Sequence, residues 1–219
     1  MASYAFMKVL ESSAQRYDIG INILSLGYSN KIKRAIAENY ITVGDKTLDI
    51  GCGTGTLAIL CAEKGALMTG LDISPHMLDI AREKIQERGL ADRIQLIEMS
   101  TTEMDKAFND ETFDKIVGTL VFSELYPDEQ KYALAEAYRT LKKGGLIIIA
   151  DEIKPDSLAK RVFQSLVRIP LVMITYIVTQ TSTKALKDVN SLLTDAGFSI
   201  IYQERTFLDS FGLYVARKE

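Results

Sequence analysis

The chain has one histidine, two cysteines, four prolines and no tryptophan. Each scarcity removes a class of chemistry. One His and two Cys supply too few nitrogen and sulfur ligands for a four-coordinate zinc site, so no metal is expected. Any Ser-His-Asp or Cys-His mechanism would have to run through His76. Cys52 and Cys61 fall in one loop-helix unit and read as reduced packing residues rather than a disulfide. Positive charge is also short: 26 Lys and Arg stand against 29 Asp and Glu, a net charge of −3. That balance leaves no electrostatic footprint for nucleic acid. The longest apolar run, Ile169 to Val178, is ten residues, too short to span a bilayer. The opening MASYAFMKVLESS lacks a basic segment followed by a long apolar one, so no secretory signal is expected and the chain reads as cytoplasmic.

What is present is an ordinary globular mixture, 47% hydrophobic and 25% charged over 219 residues. A chain of this length buries roughly 70% of its unfolded surface and needs no staple. It reads as one domain, residues 1–219. Short apolar runs alternate with helical segments. KTLDIG (46–51), ALMTGLDIS (66–74), IQLIEM (94–99), TFDKIVGTLVF (112–122) and LIIIADE (146–152) read as strands. Between them lie GTLAILCAEKG, PHMLDIAREKIQERG and DEQKYALAEAYRTLKKGG, each helical with a glycine stop. Ser74-Pro75 is an N-cap with proline at the first helical position. FSIIYQER and SFGLYVARK are too close in sequence for a helical crossover and predict an antiparallel hairpin. The expected fold is therefore α/β: a doubly wound, Rossmann-like, seven-stranded, mostly parallel sheet with a C-terminal hairpin. Residues 1–43 and 153–185 lie outside the repeat. Both are expected to be helical caps over the carboxyl ends of the strands, where ligands bind such sheets.

The strongest chemical signal is LDIGCGTGTLA. A strand ends at Asp49, Gly51, Gly53 and Gly55 alternate, and a helix begins. A second strand ends in Asp72, about 20 residues on, placed to hold two ribose hydroxyls. Dinucleotide sites use G-x-G-x-x-G, with a pyrophosphate on the helix N-terminus. Here the third glycine of that pattern is Thr56, and a carboxylate precedes the loop. A carboxylate repels phosphate and suits a cation. The spacing therefore favours S-adenosylmethionine, with its sulfonium and ammonium groups, over NAD; an NAD-dependent oxidoreductase is the weaker alternative.

LDIGCGTG, GLDIS, HMLDIAREK, FDKIVGTLVFSEL, LKKGGLIIIADE and the Ala196–Arg217 segment together resemble, in order, the motifs of class I S-adenosylmethionine-dependent methyltransferases. The resemblance runs from about residue 40 to the C-terminus. Within the class the chain is similar to the UbiE type, which methylates quinone precursors. FMKVLESSAQRYDIGINILSLG, LVFSELYPDEQ and RIPLVMITYIVTQTSTKAL resemble more closely the corrinoid protein-associated methyltransferases. The resemblance implies methyl transfer from S-adenosylmethionine, leaving S-adenosylhomocysteine, to a small or apolar acceptor. A non-catalytic, cofactor-binding partner of a corrinoid protein is the alternative from a different class. It implies further that Asp49 and the Gly51, Gly53, Gly55 loop face the methionine part and that Asp72 binds ribose. Ile73 and Met77 then pack on the adenine, Ser100 and Thr101 meet its amino group, Thr119 and Leu120 border the methyl, and Tyr17 closes over the cofactor. Ser100 stands where the family usually carries a carboxylate.

UbiE-type relatives often carry His-His after the fourth strand; here the pair is Ser123-Glu124. Glu124 is accordingly the expected catalytic carboxylate, its pKa raised by an apolar setting. The plainer alternative is a helix-starting carboxylate at a positive dipole end. Asp151 and Glu152 end the fifth strand and either orient substrate or cap structure. His76 reads as a surface or adenosine-adjacent residue. Residues 162–178 are unusually apolar: a cap packed on the sheet edge, a lid over the acceptor, a patch that docks on a membrane, or a face for a second copy or a corrinoid protein, with Arg161 and Arg168 beside it.

Overall fold

The computed structural model describes residues 28–154, 185–206 and 211–219. Tyr17 and residues 155–184 lie outside them, so the expectations for that tyrosine and for most of the second cap are not addressed by the described residues.

Seven strands form one sheet: β1 (Lys46–Ile50), β2 (Leu67–Asp72), β3 (Ile94–Glu98), β4 (Phe113–Thr119), β5 (Leu141–Glu152), β6 (Phe198–Thr206) and β7 (Phe211–Lys218). Their order is β3-β2-β1-β4-β5-β7-β6. The first five pair in parallel, and β7 runs antiparallel to both β5 and β6. This is the doubly wound sheet with a terminal hairpin that the alternating pattern predicts. α1 (Tyr28–Tyr40), α2 (Thr56–Glu63) and α3 (Pro75–Glu87) cover one face. There Ile32, Ile36, Leu57, Ala81 and Ile85 pack with Val117, Ile148 and Val215. The other face carries α4 (Met104–Ala107), α5 (Pro127–Thr140) and α6 (Val189–Asp195). Met104, Leu134, Ala137 and Leu193 pack there with Ile116, Ile147, Ile149 and Tyr214. Neighbouring strand residues thus serve opposite cores, which is why the central strands are apolar throughout.

The largest boundary difference from the sequence reading lies between α5 and β5. Helix α5 stops at Thr140, before the glycines, and Lys142 to Gly145 already belong to β5. Leu141 is fully buried and pairs with Phe113, so its packing ends the helix one turn early. The Lys218 ammonium then donates to the Leu141 carbonyl at 2.7 Å, satisfying an acceptor that the helix end leaves open. The register shift between Phe113 and Lys115 absorbs the extra residues.

Strand order reverses between β1, which is followed by β2 and β3 on one side, and β4, which leads to β5 on the other. Open α/β sheets bind ligands in the crevice at that point. The described chain also breaks on this edge. Ile153 bridges to Leu186, Phe211 pairs with Glu152 and Thr206, and the Tyr28 ring lies edge-on to Phe211 at 5.3 Å. Among the described residues, no helix is long and apolar enough to cross a membrane.

Candidate active site

The glycine loop leaves β1 at the reversal point. Gly51, Gly53 and Gly55 have φ of 66°, 52° and 72°, the left-handed region that side chains resist. The three differ in what a side chain would meet. A Cβ on Gly51 would overlap Val121, in the loop after β4. At Gly53 it would meet none of the described residues within 4 Å. Gly51 therefore closes the two halves of the sheet together, while Gly53 faces the crevice. Gly51→Ala combines a left-handed Cβ penalty of about 1–2 kcal/mol with an overpacking cost of about 1–3 kcal/mol. Denaturant unfolding should show a loss of at least about 2 kcal/mol, with Gly53→Ala distinctly milder.

Asp49 sits beneath the loop on β1. It is 1% exposed, and among the described residues neither carboxylate oxygen has a hydrogen-bond partner. Burial pushes its pKa up to about 7; Lys33 on α1 opposes the rise and Asp72 adds to it. An unpartnered buried carboxyl is costly, and natural structures rarely keep one without use.

Asp72 ends β2 beside the loop. Its Oδ2 accepts from the Gly53 amide at 2.8 Å and its Oδ1 from the Ser74 amide at 2.9 Å. Burial raises its pKa, and these amide donors pull it back. Each oxygen retains a lone pair for another donor. Next to it Ile73 is 66% exposed, an apolar side chain presented on the surface, while Met77 is buried in the first turn of α3. Ser74 caps that helix, accepting from the Met77 amide at 3.4 Å.

Beyond β3, Ser100 accepts from the Thr102 amide at 3.3 Å and shares a 2.9 Å hydrogen bond with the Thr102 hydroxyl. It caps a short 3-10 turn, Thr101–Glu103, in which Thr101 is buried. The hydroxyl that replaces the family's usual carboxylate is thus already engaged in shaping the loop.

On the other side of the reversal, Thr119 ends β4 and Leu120 follows with φ of 59°. The Leu120 amide donates to the Ala150 carbonyl at 2.9 Å, which holds this strained turn against β5. Asp151 is fully buried and accepts from the Ser123 amide at 3.1 Å and its neighbour Glu152's amide at 2.7 Å. Burial raises it to about 6. Asp151 therefore anchors the β4 loop to β5, the structural one of its two expected roles. Glu124 lies on that loop and keeps solvent contact. The protein around it raises its carboxyl to about 7, with Asp151, Asp72 and Glu152 adding to the rise. Solvent contact makes this the upper end of the shift.

His76 is half-buried in α3, and its Nε2 is buried without a hydrogen-bond partner among the described residues. Both cysteines are free and buried; burial and the nearby Asp49 push both thiols up, so neither is a nucleophile. A cavity of about 550 Å³ lies beyond β5, lined by Ile153, Leu186, Arg205 and Tyr214 among others, away from the glycine loop.

The residues along the crevice could hold a cation over Asp49, a vicinal diol at Asp72 and an aromatic base over Ile73. Residues 47–145 match the methyltransferase-domain family. Those residues carry a methyltransferase domain. Over 149 residues the chain is 34% identical to the demethylmenaquinone methyltransferase of Tropheryma whipplei strain Twist, covering 68% of this chain and 59% of that one. Over 158 residues it is 31% identical to the ubiquinone/menaquinone biosynthesis C-methyltransferase UbiE of Marinomonas sp. strain MWYL1, covering 70% of this chain and 61% of that one. The chain thus spans about three fifths of the length of these curated relatives. Among solved structures the [4+2]-cyclase SpnF superposes with a TM-score of 0.68 at 19% identity, over 86% of this chain and 80% of that one. That likeness concerns the fold, and folds of this kind host more than one chemistry.

The methyltransferase domain's match ends at Gly145, so Asp151 and Glu152 lie past it, while Glu124 lies within. Sequence reasoning missed the joint hold on the loop by Asp72 and α3. The missed signals were the two threonines flanking Gly55, in GTGT, and a lysine one turn past Ala81 on α3.

Proposed function

We propose that the chain binds S-adenosylmethionine along the carboxyl edge of β1 and β2 and transfers its methyl group to a small or apolar acceptor on the β4 side. The observation that carries this reading is Asp49, a fully buried carboxylate without a hydrogen-bond partner among the described residues, beneath the glycine loop. A cation is the ligand that relieves it.

In this reading Asp72 receives the ribose hydroxyls on the lone pairs its two amide bonds leave over. Ile73 and Met77 pack on the adenine, and Ser100 and Thr101 border its edge. Bound there, S-adenosylmethionine supplies a methyl group on a sulfonium, already a strong electrophile. The protein's contribution is then positioning and exclusion of water. Thr119 and the Leu120 turn set the wall past which the acceptor approaches. Glu124, the catalytic candidate, takes a proton from an acceptor that must lose one.

A carboxyl raised above the usual carboxylate range makes a stronger base near neutrality. With an acceptor that loses a proton, kcat should rise with pH and level off by about 7, since only the ionised form accepts a proton. Glu124→Gln should lower kcat by about 10²–10⁴-fold, flatten that profile and leave the Kd for S-adenosylhomocysteine within about twofold. An unchanged rate in Glu124→Gln would remove the base assignment.

The UbiE-type relatives favour an acceptor of the quinol-precursor kind, whereas the segments like the corrinoid protein-associated group favour a corrinoid protein or a second copy as partner. Methyl release from labelled S-adenosylmethionine, with and without each acceptor, separates these. Tight cofactor binding with no transfer to any acceptor would favour the non-catalytic alternative.

A further inference from the structure

A loop of alternating glycines has many accessible conformations, and fixing it costs entropy. The first half of this loop is fixed from the crevice side. The Cys52 amide donates to the Leu71 carbonyl at 2.9 Å, and the Gly53 amide donates to Asp72. The second of these contacts involves the carboxylate that the ribose would also engage. The second half, Thr54 to Thr56, is held from elsewhere. Lys84 on α3 reaches across and donates from its ammonium to Thr56 Oγ1 at 2.9 Å and to Thr54 Oγ1 at 3.2 Å. The two hydroxyls lie 3.3 Å apart. One turn earlier on the same helix, Ala81 stands where a Cβ on Gly55 would lie 3.0 Å away. Helix α3 thus touches the loop at two successive turns, by packing at Ala81 and by charge-assisted hydrogen bonds at Lys84.

We propose that Lys84 is a positioning residue for the cofactor: it braces the Thr54–Thr56 arm of the glycine loop so that the loop is already in its binding shape before ligand arrives. The inference rests on reading that loop as the S-adenosylmethionine site. Lys84 acts through the two threonines and needs no contact with the ligand. Thr54 is buried while Lys84 and Thr56 are half-buried, so the bonds are partly shielded from water and strong enough to select one loop shape. Bracing by a side chain on α3 also joins the loop to the helix that Ser74 starts, whose first turn carries Met77. Loop and adenine wall therefore move as one piece.

The test is calorimetric titration of S-adenosylhomocysteine into the full chain and its variants, with the unfolding midpoint of each recorded. Lys84→Met should raise Kd at least about fivefold with stoichiometry near one, because the loop must then be ordered on binding. Lys84→Arg keeps a donor fork in reach and should restore affinity to within about twofold of the wild type. Thr54→Val with Thr56→Val should weaken binding to a similar degree. Adding both to Lys84→Met should cost less than the product of the separate effects, since the changes share the Lys84–threonine bonds. Three results would overturn the proposal: Kd unchanged in Lys84→Met with only the midpoint lowered, no recovery with Lys84→Arg, or fold-changes that multiply in the combined variant. A wild-type chain that fails to bind would overturn the cofactor reading with it, so the two failures are distinguishable.

Discussion

Asp72→Ala is expected to weaken S-adenosylhomocysteine binding by well over tenfold, each tenfold being about 1.4 kcal/mol. The size follows from two losses at one residue. The carboxylate is the acceptor available to a vicinal diol at the end of β2. It also accepts the amides of Gly53 and Ser74, tying the glycine loop to the start of α3. Removing it leaves two partly buried donors to find water and frees the loop's first half. Asp72→Asn keeps one acceptor oxygen and should fall between wild type and alanine. Calorimetric titration of both variants checks the order. Alanine binding as well as wild type would remove the ribose assignment.

Asp49→Asn is expected to separate stability from binding. In the ligand-free chain the carboxyl holds its proton up to about pH 7, whereas the unfolded chain releases it near 4. Between those values the folded state binds more protons than the unfolded state, so stability declines as pH rises through the window. The stability linked to this group is fully present below about pH 4 and lost above about pH 7. A shift of this size corresponds to at most about 4 kcal/mol. An asparagine carries no charge to bury, so the variant should lack this part of the decline. It should be more stable than wild type at pH 8 by on the order of 1–2 kcal/mol, and closer to it at pH 5. Binding should move the other way. A cation arriving over Asp49 favours the ionised form, so wild-type binding near pH 6.5 should release a fraction of a proton, seen as a dependence of the heat on buffer ionisation enthalpy. Asp49→Asn should bind at least about tenfold more weakly and lose that share of the release. Lower stability than wild type at pH 8 would show that the carboxylate is satisfied after all.

Much of this was legible in the residues. The alternation of KTLDIG, GLDIS, IQLIEM and LIIIADE with capped helices determines a parallel sheet, because each run is too short for a helix and too apolar for an exposed strand. The hairpin follows from the short interval between FSIIYQER and SFGLYVARK. Thr56 at the third dinucleotide position and Asp49 before the loop already separate a sulfonium from a pyrophosphate. The parts that were not legible depend on tertiary contact. Helix α5 ends at Thr140 because Leu141 is buried against β4, which no glycine signal announces. Asp151 and Glu124 look alike in sequence, two carboxylates after apolar strands. The fold gives the first two amide donors and an anchoring role, and leaves the second on a loop in contact with solvent. The resemblance places Ser100 at the adenine edge, and the fold adds that its hydroxyl caps the turn at Thr101. Lys84 lies 28 residues from Thr56, and only the packing of α3 on the loop makes them neighbours.

The central claim is that this crevice binds an adenosyl sulfonium compound and not a dinucleotide. Calorimetric titration of the full chain with S-adenosylmethionine, S-adenosylhomocysteine and NADH tests it directly. The account predicts one-to-one binding of both adenosyl compounds, abolished or strongly weakened by Asp72→Ala, and no heat from NADH. Binding of NADH with neither adenosyl compound bound would contradict it.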